Sequence, residues 1–215
     1  MRYFLLLFFA GCSLCPAAQN RSRNFGFNTA VSVNPFMLIG EDITFMVGAE
    51  QQLKDKLSVV MDAGYVFQSE YFNGMDVMKG VSGFNLRPGI KFYTKETKRS
   101  YLMAQLFYKQ VAYKVYDFLG KDCVNGVPTF EQLQDFTYRK RTISMNFIAG
   151  KYYHLSDMLL FELYGGIGVK SKNQKPTEKN SCYRNNDRGI IFSKFQEQIT
   201  MPNFPVGFKL VYIIK

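Results

Sequence analysis

Eight stretches of alternating apolar and polar residues run through this chain, and the connections between them alternate between short and long. Leu53-Lys54-Asp55-Lys56, Lys95-Glu96-Thr97-Lys98-Arg99 and Leu155-Ser156-Asp157 read as tight polar turns. The connections around 68–83, 116–139 and 171–196 are long and are expected to be irregular. Short turns on one face and long loops on the other are the pattern of an outer-membrane barrel, with the short turns periplasmic. The fold class expected is therefore all-β: an eight-stranded antiparallel up-and-down transmembrane β-barrel.

The first residues agree with export. Arg2 is a positive n-region, Tyr3–Ala10 an apolar h-region and Cys15-Pro16-Ala17-Ala18 a small-residue cleavage region. A buried N-terminal helix fits less well, because Pro16 and the polar Gln19-Asn20-Arg21 end the run. A lipoprotein signal with Cys12 as the lipidated residue ranks second, since Phe9 is a poor residue ahead of that box. The expected organisation is a signal peptide over 1–18 and one barrel domain over 19–215. No later stretch approaches the roughly 18 uncharged apolar residues of a membrane-spanning helix. The most apolar window, Met158–Val169, is interrupted by Glu162 and carries glycines. A membrane protein without such helices must close its sheet, because backbone polar groups in lipid have to pair internally.

The period-2 pattern is cleanest in the fourth stretch, where Phe84, Leu86, Pro88, Ile90 and Phe92 alternate with Asn85, Arg87, Gly89, Lys91 and Tyr93. The first stretch sets Phe25, Phe27, Val31 and Val33 against Gly26, Asn28, Ala30, Ser32 and Asn34. Similar alternation recurs around 43–52, 57–65, 102–109, 143–150, 159–170 and 206–215. A charge on the outer face at the bilayer midplane costs about 2–4 kcal/mol. The polar set is therefore placed inside and the apolar set outside. A soluble barrel would reverse that direction. Phe92, Tyr93, Tyr101, Tyr152 and Tyr153, beside the short turns, read as an interfacial aromatic girdle.

Eight strands make a barrel filled by side chains. Interior charges must then pair, since lone buried charges are costly. Glu50, Asp62 and Glu162 supply the acids of the expected interior network, and Arg87, Lys91, Lys109, Lys170 and Lys209 the bases. Glu162 and Lys209 fall at similar heights on adjacent strands, and Asp62 and Arg87 also lie on adjacent strands.

Three further features carry a family resemblance: Val47-Gly48-Ala49-Glu50-Gln51; Ala149-Gly150-Lys151 with Leu163-Tyr164-Gly165-Gly166-Ile167-Gly168-Val169-Lys170; and Pro205-Val206-Gly207-Phe208-Lys209-Leu210-Val211-Tyr212. With them the chain resembles a family of small outer-membrane β-barrel proteins of Bacteroidetes, of OmpA/OmpX-like architecture, over about residues 20–215. The resemblance implies location and fold, and no activity. The chain departs from the usual barrel ending, an aromatic residue, by closing on Ile213-Ile214-Lys215.

Little in the chain argues for catalysis. Its only histidine, His154, stands within three residues of Ser156 and Asp157. A triad is assembled in space with its base oriented by an acid, whereas these three neighbours have the composition that turns favour. No catalytic residue is assigned. No P-loop, HExxH, Ca²⁺ loop or GxGxxG ahead of a helix is present, and no cofactor or metal is expected. Lys and Arg outnumber Asp and Glu by 27 to 17. Nucleic-acid binding fits poorly with an exported chain that has no basic helix. The basic loop of Lys172, Lys175, Lys179, Arg184, Arg188 and Lys194 reads either as a patch for phosphate or carboxylate groups or as a solvated loop, the second being favoured. Cys123 and Cys182 lie in long loops on the same expected side and can pair in an oxidising compartment.

The function expected is non-enzymatic, structural or adhesive, acting through the long loops of a monomer in outer-membrane lipid. The expected ligands are an extracellular glycan, a lipopolysaccharide or a protein. The alternatives are a soluble lipocalin-like barrel holding an apolar ligand and, behind it, a lipid-modifying enzyme.

Overall fold

The computed structural model describes residues 28–38, 42–69, 78–94, 99–124, 127–178, 181–182 and 198–214. The expected signal peptide with Cys12, the start of the first stretch (Phe25–Phe27) and the turn residues Lys95–Lys98 lie outside the described residues.

Ten antiparallel strands form one sheet: β1 Thr29–Val33, β2 Asp42–Lys54, β3 Leu57–Ser69, β4 Met78–Tyr93, β5 Ser100–Lys121, β6 Phe130–His154, β7 Leu159–Pro176, β8 Ser181–Cys182, β9 Gln198–Asn203 and β10 Val206–Ile214. Strands β1 to β7 pair in chain order. β10 then pairs with β7 on one side (Lys209 opposite Glu162) and with β1 on the other (Tyr212 opposite Val31), closing a ring of eight strands. Closure removes the unpaired edges an open sheet would leave. β9 continues β10 along β7 in the same register, interrupted at Phe204-Pro205. Pro205 has no N–H to give the ladder, and its carbonyl still accepts from Gly166 N–H at 2.8 Å.

The wall alternates with period 2, and its direction is the one expected. Phe84, Leu86, Ile90 and Phe92 are exposed, while Asn85 and Lys91 between them are buried. Along β6 the outward Ile143, Met145 and Phe147 alternate with the buried Thr142, Ser144, Asn146 and Ile148. The interior has two apolar layers. Ala30, Met103, Ile148, Leu160, Tyr164, Val211 and Ile213 pack with Tyr93, Tyr101 and Tyr152 near the short turns. Val66, Val111, Tyr113, Val115, Leu119, Phe136 and Tyr138 pack near the long loops.

Two expectations are corrected. Within 116–139, residues 116–121 and 130–139 are paired strand, not irregular loop. β5 and β6 pair without a break from Ser100 opposite Lys151 to Lys121 opposite Phe130. The inward Tyr113, Val115, Leu119, Phe136 and Tyr138 hold the strands together above the wall, because alternate apolar residues give the extension a core of its own. β7 likewise runs through Lys172 and Lys175 to Pro176. The second correction concerns the girdle. Phe92 and Tyr153 face outward, but Tyr93, Tyr101 and Tyr152 are buried in the lumen. Tyr93 shares its strand parity with Lys91, and that parity turns it inward.

A short 3₁₀ turn, Pro35–Leu38, connects β1 to β2. Phe36 packs edge-on against Phe208 with ring centroids 5.9 Å apart. Asn34, just before the turn, donates to the Tyr164 hydroxyl at 3.0 Å.

Candidate functional site

The lumen holds its charges in three layers. Nearest the short turns, β4 delivers Lys91, β2 Glu50 and β7 Glu162. Lys91 Nζ lies 2.9 Å from Glu50 Oε2 and 3.0 Å from Glu162 Oε1, with all three side chains buried. Its third N–H donates to the Tyr152 hydroxyl at 2.5 Å. Tyr93 and Tyr152 donate to Glu50, and Tyr101 donates to Glu162. The ammonium also sits 4.4 Å from the Tyr101 ring centroid. Each charge removed from water is therefore met by charge-assisted hydrogen bonds, the condition for tolerating a buried ion cluster.

In the middle layer Lys209 Nζ meets Asp62 Oδ2 at 2.6 Å. Gly48 makes the room: a Cβ there would stand 2.1 Å from Asp62 Oδ1 and 2.5 Å from Ser32 Oγ. Arg87, although opposite Asp62 in register, turns away from it. Its guanidinium stacks 4.8 Å from the Phe107 ring centroid and reaches Met37 Sδ at 3.2 Å. In the upper layer Asp42 Oδ2 is 2.8 Å from Lys109 Nζ and 3.5 Å from Lys140 Nζ. Ser69 and Tyr113 donate to its other oxygen, each at 2.7 Å.

Of the residues expected in one interior network, Glu50, Lys91 and Glu162 come together, Asp62 joins Lys209, and Lys109 joins Asp42. Lys170 is half-buried on β7 and forms no ion pair with a described residue. Sequence reading missed Asp42 and Lys140. Asp42 is the first residue of its strand, and Lys140 adjoins the segment 116–139 that the sequence predicts to be irregular. The parity of Lys140 with Thr142, Ser144 and Asn146 was the available signal.

At the short-turn rim, His154 ends β6 and Ser156 Oγ accepts from the N–H groups of Leu159 at 3.1 Å and Met158 at 3.4 Å. The hydroxyl thus holds the turn. At the opposite rim Cys123 and Cys182 form a disulfide with Cα atoms 6.1 Å apart. It lies beside the pairing of β8 with Gly120 and Lys121. Glu178 joins the same region, accepting from Lys121 and, at 2.9 Å, from Gln134. The hydrogen bond from the Lys121 ammonium holds the Glu178 carboxyl below the ordinary carboxylate range. Of the basic loop, Lys172 and Lys175 stand on β7, whereas Lys179, Arg184, Arg188 and Lys194 lie outside the described residues.

On the outer wall a groove of about 660 Å³ runs over Ala49, Pro88 and Ala104, small residues among Val59, Ile90 and Leu106. Among the described residues no group of three or more His, Cys, Asp or Glu side chains is placed to hold a metal ion. Comparison with family models, curated proteins and solved structures finds no match to this chain.

Proposed function

We propose that this chain is a non-enzymatic outer-membrane barrel, as in the small Bacteroidetes barrels whose location and fold the resemblance implies, and that it presents the β5–β6 hairpin and its disulfide-tied surroundings as a binding surface. The observation that carries this reading is the inversion of the wall. Phe45, Met61, Phe84, Leu102, Phe147, Ile167 and Tyr212 face outward, while Lys91, Glu50, Glu162, Asp62 and Lys209 are sealed inside. An aqueous protein gains nothing by that arrangement; in a bilayer it keeps charge off the lipid. From Leu159 to Val169 the strand climbs roughly 25 Å, taking about 3.3 Å per residue and a tilt near 40°. That is the height of a barrel's apolar band. A soluble barrel for an apolar ligand would turn Phe84, Leu86, Ile90 and Phe92 inward, and they stand outward.

The partner is a glycan, a lipopolysaccharide or a protein, met through the hairpin above the band. There Tyr116, Phe118, Phe130 and Leu133 are exposed. Cell fractionation with a heat-modifiability gel tests the location: the folded protein co-sediments with outer membrane and shifts on boiling. Recovery in the soluble fraction with no shift would sink it. A glycan and protein pulldown with the refolded barrel tests the binding role. Turnover of a lipid or peptide substrate that is lost in His154→Ala would replace it with an enzyme.

A further inference from the structure

Just beyond the apolar band on the long-loop side, the outward face of three adjacent strands turns basic. On β5, Tyr108 is followed outward by Gln110, Ala112 and Lys114. On β6, Ile143 gives way to Arg141 and Arg139, and on β7 Lys175 stands opposite Arg139. The inward neighbours Val111, Tyr113, Tyr138 and Lys140 are buried, which fixes the direction of the outward set. Ala112 lies opposite Arg139 on one side and Ser82 on the other, so small side chains separate the long cations. Three strands at about 4.8 Å spacing give a patch roughly 10 Å wide.

None of Lys114, Arg139, Arg141 and Lys175 forms a salt bridge with a described residue. That contrasts with the lumen, where five of six ammonium and guanidinium groups named above are matched by carboxylates or stacked on an aromatic ring. One of the four is already oriented. Gln110 Oε1 accepts from Arg141 Nε at 3.2 Å and from the Tyr108 hydroxyl at 3.0 Å. Both terminal nitrogens of that guanidinium remain for a planar, two-oxygen acceptor, which is how arginine grips phosphate.

We propose that Lys114, Arg139, Arg141 and Lys175 bind the phosphate of a membrane-lipid headgroup whose acyl chains lie along the apolar band below. This rests on the membrane reading above. The position selects a lipid over a soluble phosphate. Arg141 stands two residues, about 7 Å along the strand, beyond Ile143, so a phosphate bound there keeps its chains against the apolar wall.

The test uses the full refolded chain in phosphatidylcholine vesicles, alone or doped with equal amounts of phosphatidic acid and diacylglycerol. Flotation is read first, then co-purifying lipid by native mass spectrometry. The wild type is expected to float with both and to retain phosphatidic acid over diacylglycerol. Arg139→Gln, Arg141→Gln and Lys175→Gln combined should still float with neutral vesicles and shift on heating, and should lose phosphatidic acid retention roughly a hundredfold. Lys54→Gln with Lys56→Gln at the other rim should retain it. Equal retention in the triple variant, or an equal loss in the Lys54/Lys56 control, overturns the site. Full displacement by inorganic phosphate, with phosphate adducts in its place, overturns the lipid as ligand. Should the triple variant fail to fold, Gln110→Ala serves instead: unpinning Arg141 should lower retention several-fold, and unchanged retention overturns the proposal. A wild type that floats with neither vesicle removes the membrane reading and this site with it, whereas failure of the site alone leaves flotation intact.

Discussion

Lys209 and Asp62 meet across the lumen at 2.6 Å although neither is the other's strand neighbour. Lys209 sits opposite Glu162 on β7, and Asp62 sits opposite Arg87 on β4. The pair joins the last strand of the ring to the third. It therefore depends on closure of the wall, and each partner is almost fully shielded from water.

Asp62→Asn is expected to destabilise the barrel by about 3–5 kcal/mol, because it leaves the Lys209 ammonium buried without its counter-charge. Lys209→Met should cost a similar amount from the other side. Combining Asp62→Leu with Lys209→Met should restore most of the loss, since an apolar pair needs no desolvation. Urea unfolding of the refolded protein, followed by the heat-shifted gel band, measures all three. A double variant as unstable as either single one would show that the charges are not acting as a pair.

The wall was legible before the structure because alternation is a local property: Phe84 to Tyr93 states its two faces residue by residue. The lumen was legible only as a set of inward residues. Which of them meet depends on strand tilt and shear around a closed ring, and those are global quantities. Cross-strand neighbours were the natural guess for Asp62 with Arg87, and the chord across the barrel won instead. The inward tyrosines show the opposite failure. Tyr93 and Tyr101 were judged by nearness to a turn, where aromatics gather at interfaces, while their parity already pointed inward. The β5–β6 extension is harder to read from sequence, because 116–139 carries Gly120, Gly126 and Pro128, residues that favour turns. Only the turn itself needs such residues: Asp122 takes φ 49° there, a conformation Asp tolerates.

Gly48→Ala should disturb the same Lys209–Asp62 pair from behind. The added methyl would stand 2.1 Å from Asp62 Oδ1, so the carboxylate has to move. An expected loss of about 1–3 kcal/mol follows from overpacking a filled interior. Because the methyl acts through Asp62, its cost should shrink in an Asp62→Asn background, and a double-mutant cycle would read the coupling. Strict additivity would mean that Gly48 matters for the strand backbone rather than for the carboxylate.

Reducing the Cys123–Cys182 bridge should leave the wall almost untouched. Its loop of 59 residues already contains the paired lengths of β6 and β7, so the ring restrains most of the chain that the bridge would restrain. The urea midpoint should therefore shift by less than about 1 kcal/mol equivalent, while amide exchange quickens around Gly120–Cys123 and at Cys182. Proteolysis without reductant should release the two cysteines as one linked peptide. Both thiols open to alkylation in protein isolated from cells would refute the bridge.

Acid should loosen that hairpin tip before it affects the barrel. Glu178 holds Lys121 of β5 and Gln134 of β6 together at the loop rim, and the Lys121 hydrogen bond lowers its pKa on folding. A carboxylate with a depressed folded pKa stabilises the structure fully above its unfolded pKa, and that contribution disappears as pH falls through the folded value. The clamp should therefore be intact at neutral pH and release only below the ordinary glutamate range. Glu178 is partly exposed, so the effect is local and weakens with salt. Amide exchange at Lys121 and Gln134, corrected for its intrinsic pH dependence, should rise over that acid window in the wild type. In Glu178→Gln the rise should be absent and exchange already faster at neutral pH. An identical acid response in the two proteins would assign the loosening to another group and overturn the Glu178 clamp.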